Sequence, residues 1–277
     1  MSLHFRIATA DTIPHGSDAS IDALTATGAT MCALMRFTDG FSVAQNLITK
    51  DGGGNGWLLS TTTTRRMTFT HRRATTNSIY ESVTNTLFPG GWHFLAATFD
   101  DAASPRGHLY IGDATSVATE PAYVTAQEGT GTINTDAANT FIVGNKSGVS
   151  NSMGGDVAFV NYYNRVLTLT ELQSIQAEWL AGRSALVAAP DARLIAVYDG
   201  QAPGTRVIDL SGYGNHGAPA GASPVPHYTY SLIPGGAMHP LIGIGPWKDA
   251  WIFQAAAAGA ASFIPPRRPL RFHTRSF

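Results

Sequence analysis

The chain has 277 residues, 44% of them hydrophobic, enough for a full core in one large β domain with an appendage. Its formal net charge of -1 provides no whole-chain field to favour nucleic acid or an anionic membrane, and neither is expected as a partner. The single cysteine, Cys32, excludes an intrachain disulfide and cysteine-ligated zinc.

Thr30 to Phe37 reads as a strand, Asp39-Gly40 as a turn and Val43 to Thr49 as the next strand. The run Asp51-Gly52-Gly53-Gly54-Asn55-Gly56 has the glycines of a phosphate loop, but no Lys-Ser/Thr and no helix follow. A hairpin turn that needs positive φ fits it better. Trp57 to Thr62, Met67 to His71 and Ser78 to Val83 follow as short strands. Trp92 to Asp100 is apolar on both faces and reads as a central strand, with Arg106 to Gly112 and Thr140 to Asn145 continuing the meander. Between these last two, the polar stretch Asp113 to Asn139 predicts rim loops with one short strand near Ala122 to Ala126. Short strands at this spacing with Gly, Asn and Asp turns indicate an antiparallel sandwich.

Val157 to Tyr162 alternates as a buried strand and runs straight into a helix. Thr168 and Glu171 have the spacing of a capping box; Leu172, Ile175 and Trp179 share one helical face, and Gly182 is a natural stop. The expected core is Trp92, Phe94, Leu109, Ile111, Ile142, Val160 and Trp179. After an Ala/Pro linker, Arg193 to Tyr198 reads as a strand, and Asp209 to Gly217 predicts a tight, ordered turn. Pro219 to Gly245 is Pro/Gly-punctuated, with little room for regular structure.

The run Tyr163-Asn164-Arg165-Val166-Leu167-Thr168, with Glu171-Leu172, resembles the closing signature of laminin-G-like, concanavalin-A-like jelly rolls. Gly91-Trp92-His93-Phe94 through Asp100, Leu109-Tyr110-Ile111-Gly112-Asp113 and Phe141-Ile142-Val143-Gly144 resemble three upstream strands of that family in the right order, and Ser17 to Leu24 its opening segment. The resemblance implies an all-β, two-sheet antiparallel jelly-roll sandwich with one short C-terminal helix. It spans residues 1–183, followed by a linker and strand/turn extension at 184–249 and an extended arm at 250–277. Asp209 to Gly217 resembles a piece that family members carry at their beginning. Here it follows the closing helix, so it either folds back onto the same sandwich or offers a strand to a neighbour.

Chemistry is sparse. Glycoside hydrolysis needs paired carboxylates, and Glu81, Glu120, Glu128, Glu171 and Glu178 are isolated in sequence. There is no G-x-S-x-G elbow and no H-E-x-x-H pair, so no enzyme and no obligatory cofactor is expected. Calcium is the most plausible ion: Asp100, Asp101, Asp113 and Asn145 would converge at one rim if the strands pair as supposed, but turn formation is the default reading of these residues. Trp57, Trp92, Tyr110 and Tyr123 are candidates for stacking on sugars.

The stretch at 250–277 is apolar, then Pro- and Arg-rich, and carries Trp251, Phe253, Phe263, Arg267, Arg268, Arg271 and Phe277. So much apolar surface predicts an arm docked on its own subunits or on a major capsid protein. The first sixteen residues lack the apolar core of a secretory signal, which points to synthesis in a host cytoplasm. The leading expectation is therefore a virion structural protein of a tailed bacteriophage, of capsid decoration, cement or head-fibre type. The alternative is a lectin-like adhesion module that binds surface glycans.

Overall fold

A computed structural model of the chain describes residues 2–7, 11–22, 28–146, 151–181, 191–197 and 207–225. The arm residues Trp251, Phe253, Phe263, Arg267, Arg268, Arg271 and Phe277 lie outside the described residues. The fold is a sandwich of two antiparallel sheets with one helix, as the closing signature implies.

The elements in chain order are β1 (Ser2–Phe5), β2 (Ile13–Pro14), β3 (Ala29–Phe37), β4 (Gln45–Asp51), β5 (Gly56–Thr61), β6 (Met67–His71) and β7 (Ser78–Ser82). There follow β8 (Trp92–Phe99), β9 (Gly107–Asp113), β10 (Tyr123–Gln127), β11 (Ile142–Val143), β12 (Gly155–Tyr163), α1 (Leu169–Leu180), β13 (Leu194–Val197) and β14 (Ser223–Val225). The first sheet runs β14-β1-β12-β3-β8-β9, with β13 also on β12; the second runs β10-β7-β6-β5-β4-β11-β2. The long apolar strands predicted from the sequence all appear. β1, β2 and β14 were not predicted: they are two to four residues long, too short for a period-2 pattern to show.

Alternation along each strand sorts the apolar residues into two layers. Met31, Ala33, Met35, Leu95, Ala97, Phe99, Val160 and Tyr162 point from the first sheet towards Trp57, Leu59, Met67, Phe69 and Tyr80 of the second. Their neighbours Cys32, Leu34, Phe94, Ala96 and Ala158 point outward and are sealed by Leu172, Ile175 and Trp179 of α1. An irregularity in β12 between Val157 and Phe159 lets Val157 and Val160 both reach the inner layer. Phe159 turns outward and stacks on Trp179, with ring centroids 5.3 Å apart and planes 16° apart.

Of the expected core, Phe94, Leu109, Ile142, Val160 and Trp179 are buried, Leu109 and Val160 between the sheets and Phe94 and Trp179 in the layer beneath the helix, whereas Ile111 is only partly buried. Trp92 shares the outward parity of Phe94 and is only half-buried, with the Arg36 guanidinium 5.4 Å over its ring. Among the described residues the fully buried tryptophan is Trp57.

The glycine-rich run at 51–56 is the β4–β5 hairpin, with Asp51 opposite Gly56. Gly53 and Gly56 both have φ of +89°, and a Cβ on Gly56 would fall 1.9 Å from the Lys50 carbonyl oxygen. Glycine is required there by the turn.

The strand after the helix returns to the same sandwich. Leu194–Val197 pairs with Phe159–Tyr162, on the edge of β12 whose other half, Gly155–Val157, pairs with β1. The Asp209 to Gly217 segment closes on itself through a bridge between Val207 and Gly217. The Asp209 carboxylate accepts from the Ser211 amide (2.9 Å), the Ser211 hydroxyl (2.8 Å) and the Asn215 amide (2.9 Å). Asn215 donates its side-chain amide to the Arg193 carbonyl (2.8 Å) and to the Ser20 hydroxyl (2.9 Å), tying the turn to both ends of the described domain. The chain beyond the turn straddles the sandwich edge: Thr12 bridges Ala220, and β14 pairs with β1.

Candidate glycan-binding face

The two outer faces of the sandwich differ. The first sheet's carries the helix. On the second sheet, the inward side chains Leu59, Phe69 and Tyr80 are in the core, so Ser60, Thr68 and Glu81 point outward. Register places Ser60 opposite Thr68, Thr68 opposite Glu81 and Glu81 opposite Thr125, which makes a polar row across β5, β6, β7 and β10. A parallel row runs Leu58, Thr70, Ile79 and Gln127. All four members of the first row are partly exposed.

Charge brackets these rows. Arg66 donates to Glu81 (3.1 Å) and to the Thr84 hydroxyl (3.0 and 2.9 Å); at the other end Arg72 pairs with Asp51 at 3.2 Å. The Thr68 hydroxyl oxygen is itself buried and has no hydrogen-bond partner among the described residues, so Ser60, Glu81 and Thr125 are the members of the row open to a ligand. A shallow face of hydroxyls, one carboxylate and one guanidinium offers both donors and acceptors to a polyhydroxylated ligand. The sequence marks it only as a strand-and-turn stretch rich in Ser and Thr; the register is what turns scattered hydroxyls into a row.

The four residues assigned to a calcium rim are not brought together. Asp100 and Asp101 follow β8 at the β8–β9 hairpin, whereas Asp113 closes β9 opposite His93, at the far end of the same strand pair. Asp100 accepts from the Ala102 amide (2.9 Å), and Asp113 accepts from the Thr115 amide (2.7 Å) and the Ser116 amide (2.8 Å), both as turn formers. Burial opposes ionisation of Asp113, but the Thr115 and Ser116 bonds prevail and hold its pKa below the usual range. Asp101 is paired with Arg73 and, at 3.2 Å, with Arg106. Asn145 is buried and donates to the Ser152 hydroxyl at 2.7 Å. Among the described residues no group of three or more His, Cys, Asp and Glu side chains is placed to hold a metal.

The aromatic candidates are committed to packing. Trp57 is enclosed, stacked at 6° on Tyr162 with centroids 6.2 Å apart. Tyr123 donates to Glu120 (2.6 Å) and accepts from the Leu109 amide (2.8 Å), so it fastens β10 to β9. Tyr110 and Trp92 border the layer beneath α1.

The isolated acidic residues are held singly. Glu120 accepts from Tyr123, Glu128 from Tyr80 (2.7 Å) and Arg106 (3.3 Å), and Glu171 from Arg165 (2.7 and 3.2 Å). Glu171 completes the capping box with Thr168, as its spacing predicts. The Arg165 guanidinium, with help from Thr168, lowers the Glu171 pKa to about 2. Arg165 also grips Asp191, which follows the helix, while its carbonyl accepts from the Thr30 hydroxyl at 2.8 Å. The Tyr-Asn-Arg signature is thus the joint that fastens the helix to β3.

A family model described as the concanavalin A-like lectin/glucanases superfamily matches residues 11–173, more than half of the chain, from β2 into the helix. The chain belongs to this superfamily. No curated protein matches it. Among solved structures, a Bacteroides ovatus protein with a provisional carbohydrate-binding description aligns at 15% identity and a TM-score of 0.55, over 80% of this chain and 58% of its own length. The chain therefore spans little more than half of that protein. The CBM40 module of a Ruminococcus gnavus IT-sialidase, bound to α2,3 sialyllactose, aligns at 14% identity and a TM-score of 0.42, over 58% of this chain and 91% of the module. A pentraxin of Limulus polyphemus aligns at 10% identity and a TM-score of 0.38, over 62% of this chain and 75% of its own.

Proposed function

We propose that this superfamily member is a non-catalytic glycan-binding module whose ligand lies across the outer face of the second sheet. The observation that carries the proposal is the polar row Ser60, Thr68, Glu81 and Thr125, which no helix among the described residues covers and which Arg66 brackets. Glu81 and Arg66 would bond to sugar hydroxyls, and the flanking Leu58 and Ile79 would lie under the apolar face of a ring. The superfamily's description and the provisional description of the Bacteroides ovatus protein agree with this reading. The virion reading drew on the arm at 250–277, outside the described residues, and the described fold supports glycan binding better. A glycan array followed by calorimetry on the best ligand tests the proposal. Glu81→Ala and Arg66→Ala should each weaken binding about tenfold or more, as expected for a charge-assisted hydrogen bond. Absence of any glycan ligand, or full binding by both variants, would overturn it.

A further inference from the structure

One lysine of the chain is fully buried inside the sandwich. Lys50 shares the inward parity of Ile48 and stands opposite Trp57. Its Nζ donates to the Asp22 carboxylate at 2.7 Å and to the backbone oxygen of Asp136 at 2.6 Å, and lies 3.8 Å from Oδ2 of the Asp136 carboxylate. Asp136 is itself fully buried, while the Asp22 side chain is 20% exposed. The Trp57 indole N–H donates to Oδ2 of Asp136 at 3.1 Å, which polarises that carboxyl group. Its other oxygen, Oδ1, has no hydrogen-bond partner among the described residues, and neither does the buried Tyr162 hydroxyl nearby. Trp57, Phe141 and Tyr162 wall the cluster, with ring centroids 5.7 to 6.2 Å apart. Burial, partly opposed by Lys50, raises the Asp136 pKa to about 6, which favours its neutral acid form.

An ammonium group, a buried carboxyl group biased towards its acid form and a second carboxylate are thus held together at the edge of the core. We propose that Lys50 and Asp136 condense within the folded domain into a side-chain amide. Asp22 first takes one proton from Nζ. The freed lone pair attacks Cγ of Asp136, and an N–C bond forms. A second Nζ proton passes to the carboxyl oxygen as the C–O bond breaks, and that oxygen leaves as water. The third hydrogen remains as the amide N–H, and Asp22 returns its proton to solvent. No oxidant, metal or other reactant is consumed. Held reactants of this kind reach effective concentrations of about 10⁵ M or more, which favours condensation over hydrolysis. Nζ already holds the backbone oxygen of Asp136 at 2.6 Å and lies 3.8 Å from Oδ2 of the same residue, so the two reacting groups are neighbours before any step begins.

The test is the mass of the full chain in reducing denaturant, with peptide mapping after proteolysis. The wild-type chain should be lighter than its sequence by one water and should yield a peptide joining Lys50 to Asp136. Lys50→Arg and Asp22→Asn should each show the full sequence mass. The wild-type measurement is made on the denatured chain, so it stands even if either variant fails to fold. A wild-type chain of full mass without the branched peptide would overturn the proposal, as would a branch that joins Lys50 to Asp22.

Discussion

The two outer faces of this sandwich start from the same strand geometry and end differently. Outward positions of the first sheet are Cys32, Leu34, Phe94, Ala96 and Ala158, all apolar, and they are buried under Trp179 and Ile175. Outward positions of the second sheet in the matching places are Ser60, Thr68, Glu81 and Thr125, and no helix among the described residues covers them. The inner faces are alike, since both feed one core. The difference shows that the outward parity of each strand, and not its core-facing half, sets where a ligand can approach.

The comparison breaks first at its large aromatic residues. Trp179→Ala should cost about 3–5 kcal/mol in urea denaturation, by lost transfer energy plus a cavity. It should leave glycan affinity unchanged in the folded fraction, because it acts on the covered face. Trp57→Ala should cost as much and also strand the Asp136 carboxylate. A loss below about 1 kcal/mol for either would mean that the layers are assigned wrongly.

A second test concerns the edge where residues 207–217 meet β2. His15 is buried there with its Nδ1 2.9 Å from the Asn215 carbonyl, and burial lowers its pKa from 6.5 to about 4. Between those values the unfolded chain binds the proton that the folded chain refuses, so stability is full above pH 6.5 and falls as pH drops towards 4. The loss attributable to His15 should be about 2–4 kcal/mol, at about 1.4 kcal/mol per pH unit. His15→Phe should remove that part of the slope when urea midpoints at pH 7.5 and pH 5 are compared. An unchanged slope would show that the edge opens independently of the core.

Smaller effects sharpen the contrast. Trp92→Ala should cost about 1–2 kcal/mol, less than Trp179→Ala, because the ring is only half-buried. Glu81→Ala should change stability by no more than about 0.5 kcal/mol while it weakens glycan binding. A larger destabilisation would make Glu81 a structural partner of Arg66 and remove it from the ligand face.

What the sequence reveals follows the strength of each local signal. The strands from Thr30 to Tyr163, the capping box at Thr168 and Glu171, and the ordered turn at Asp209 are written in period, spacing and turn chemistry. The facing of Trp92 is not, because a strand apolar on both sides has no parity to read. The polar row is hidden for a related reason: hydroxyls on β5, β6, β7 and β10 become neighbours only through register. The buried Lys50 is hidden more deeply, since a lone lysine in a strand ordinarily faces solvent and its partners stand 28 and 86 residues away. Asp100 and Asp113 look close in sequence, but a hairpin carries the chain back along its own length and leaves them at opposite ends.

The shared edge of β12 has a consequence for biosynthesis. One half of that edge is covered by Ser2–Phe5, made before most of the domain, and the other half by Leu194–Val197, made after the helix. Until the later segment leaves the ribosome, the half of β12 from Phe159 to Tyr162 presents unpaired amides and carbonyls on that side. Such an edge is open to pairing with a neighbouring chain. Translation that stalls between residues 164 and 193 should therefore release nascent chains that associate through this strand, and a supplied peptide with the sequence of Leu194–Val197 and its flanks should suppress that association.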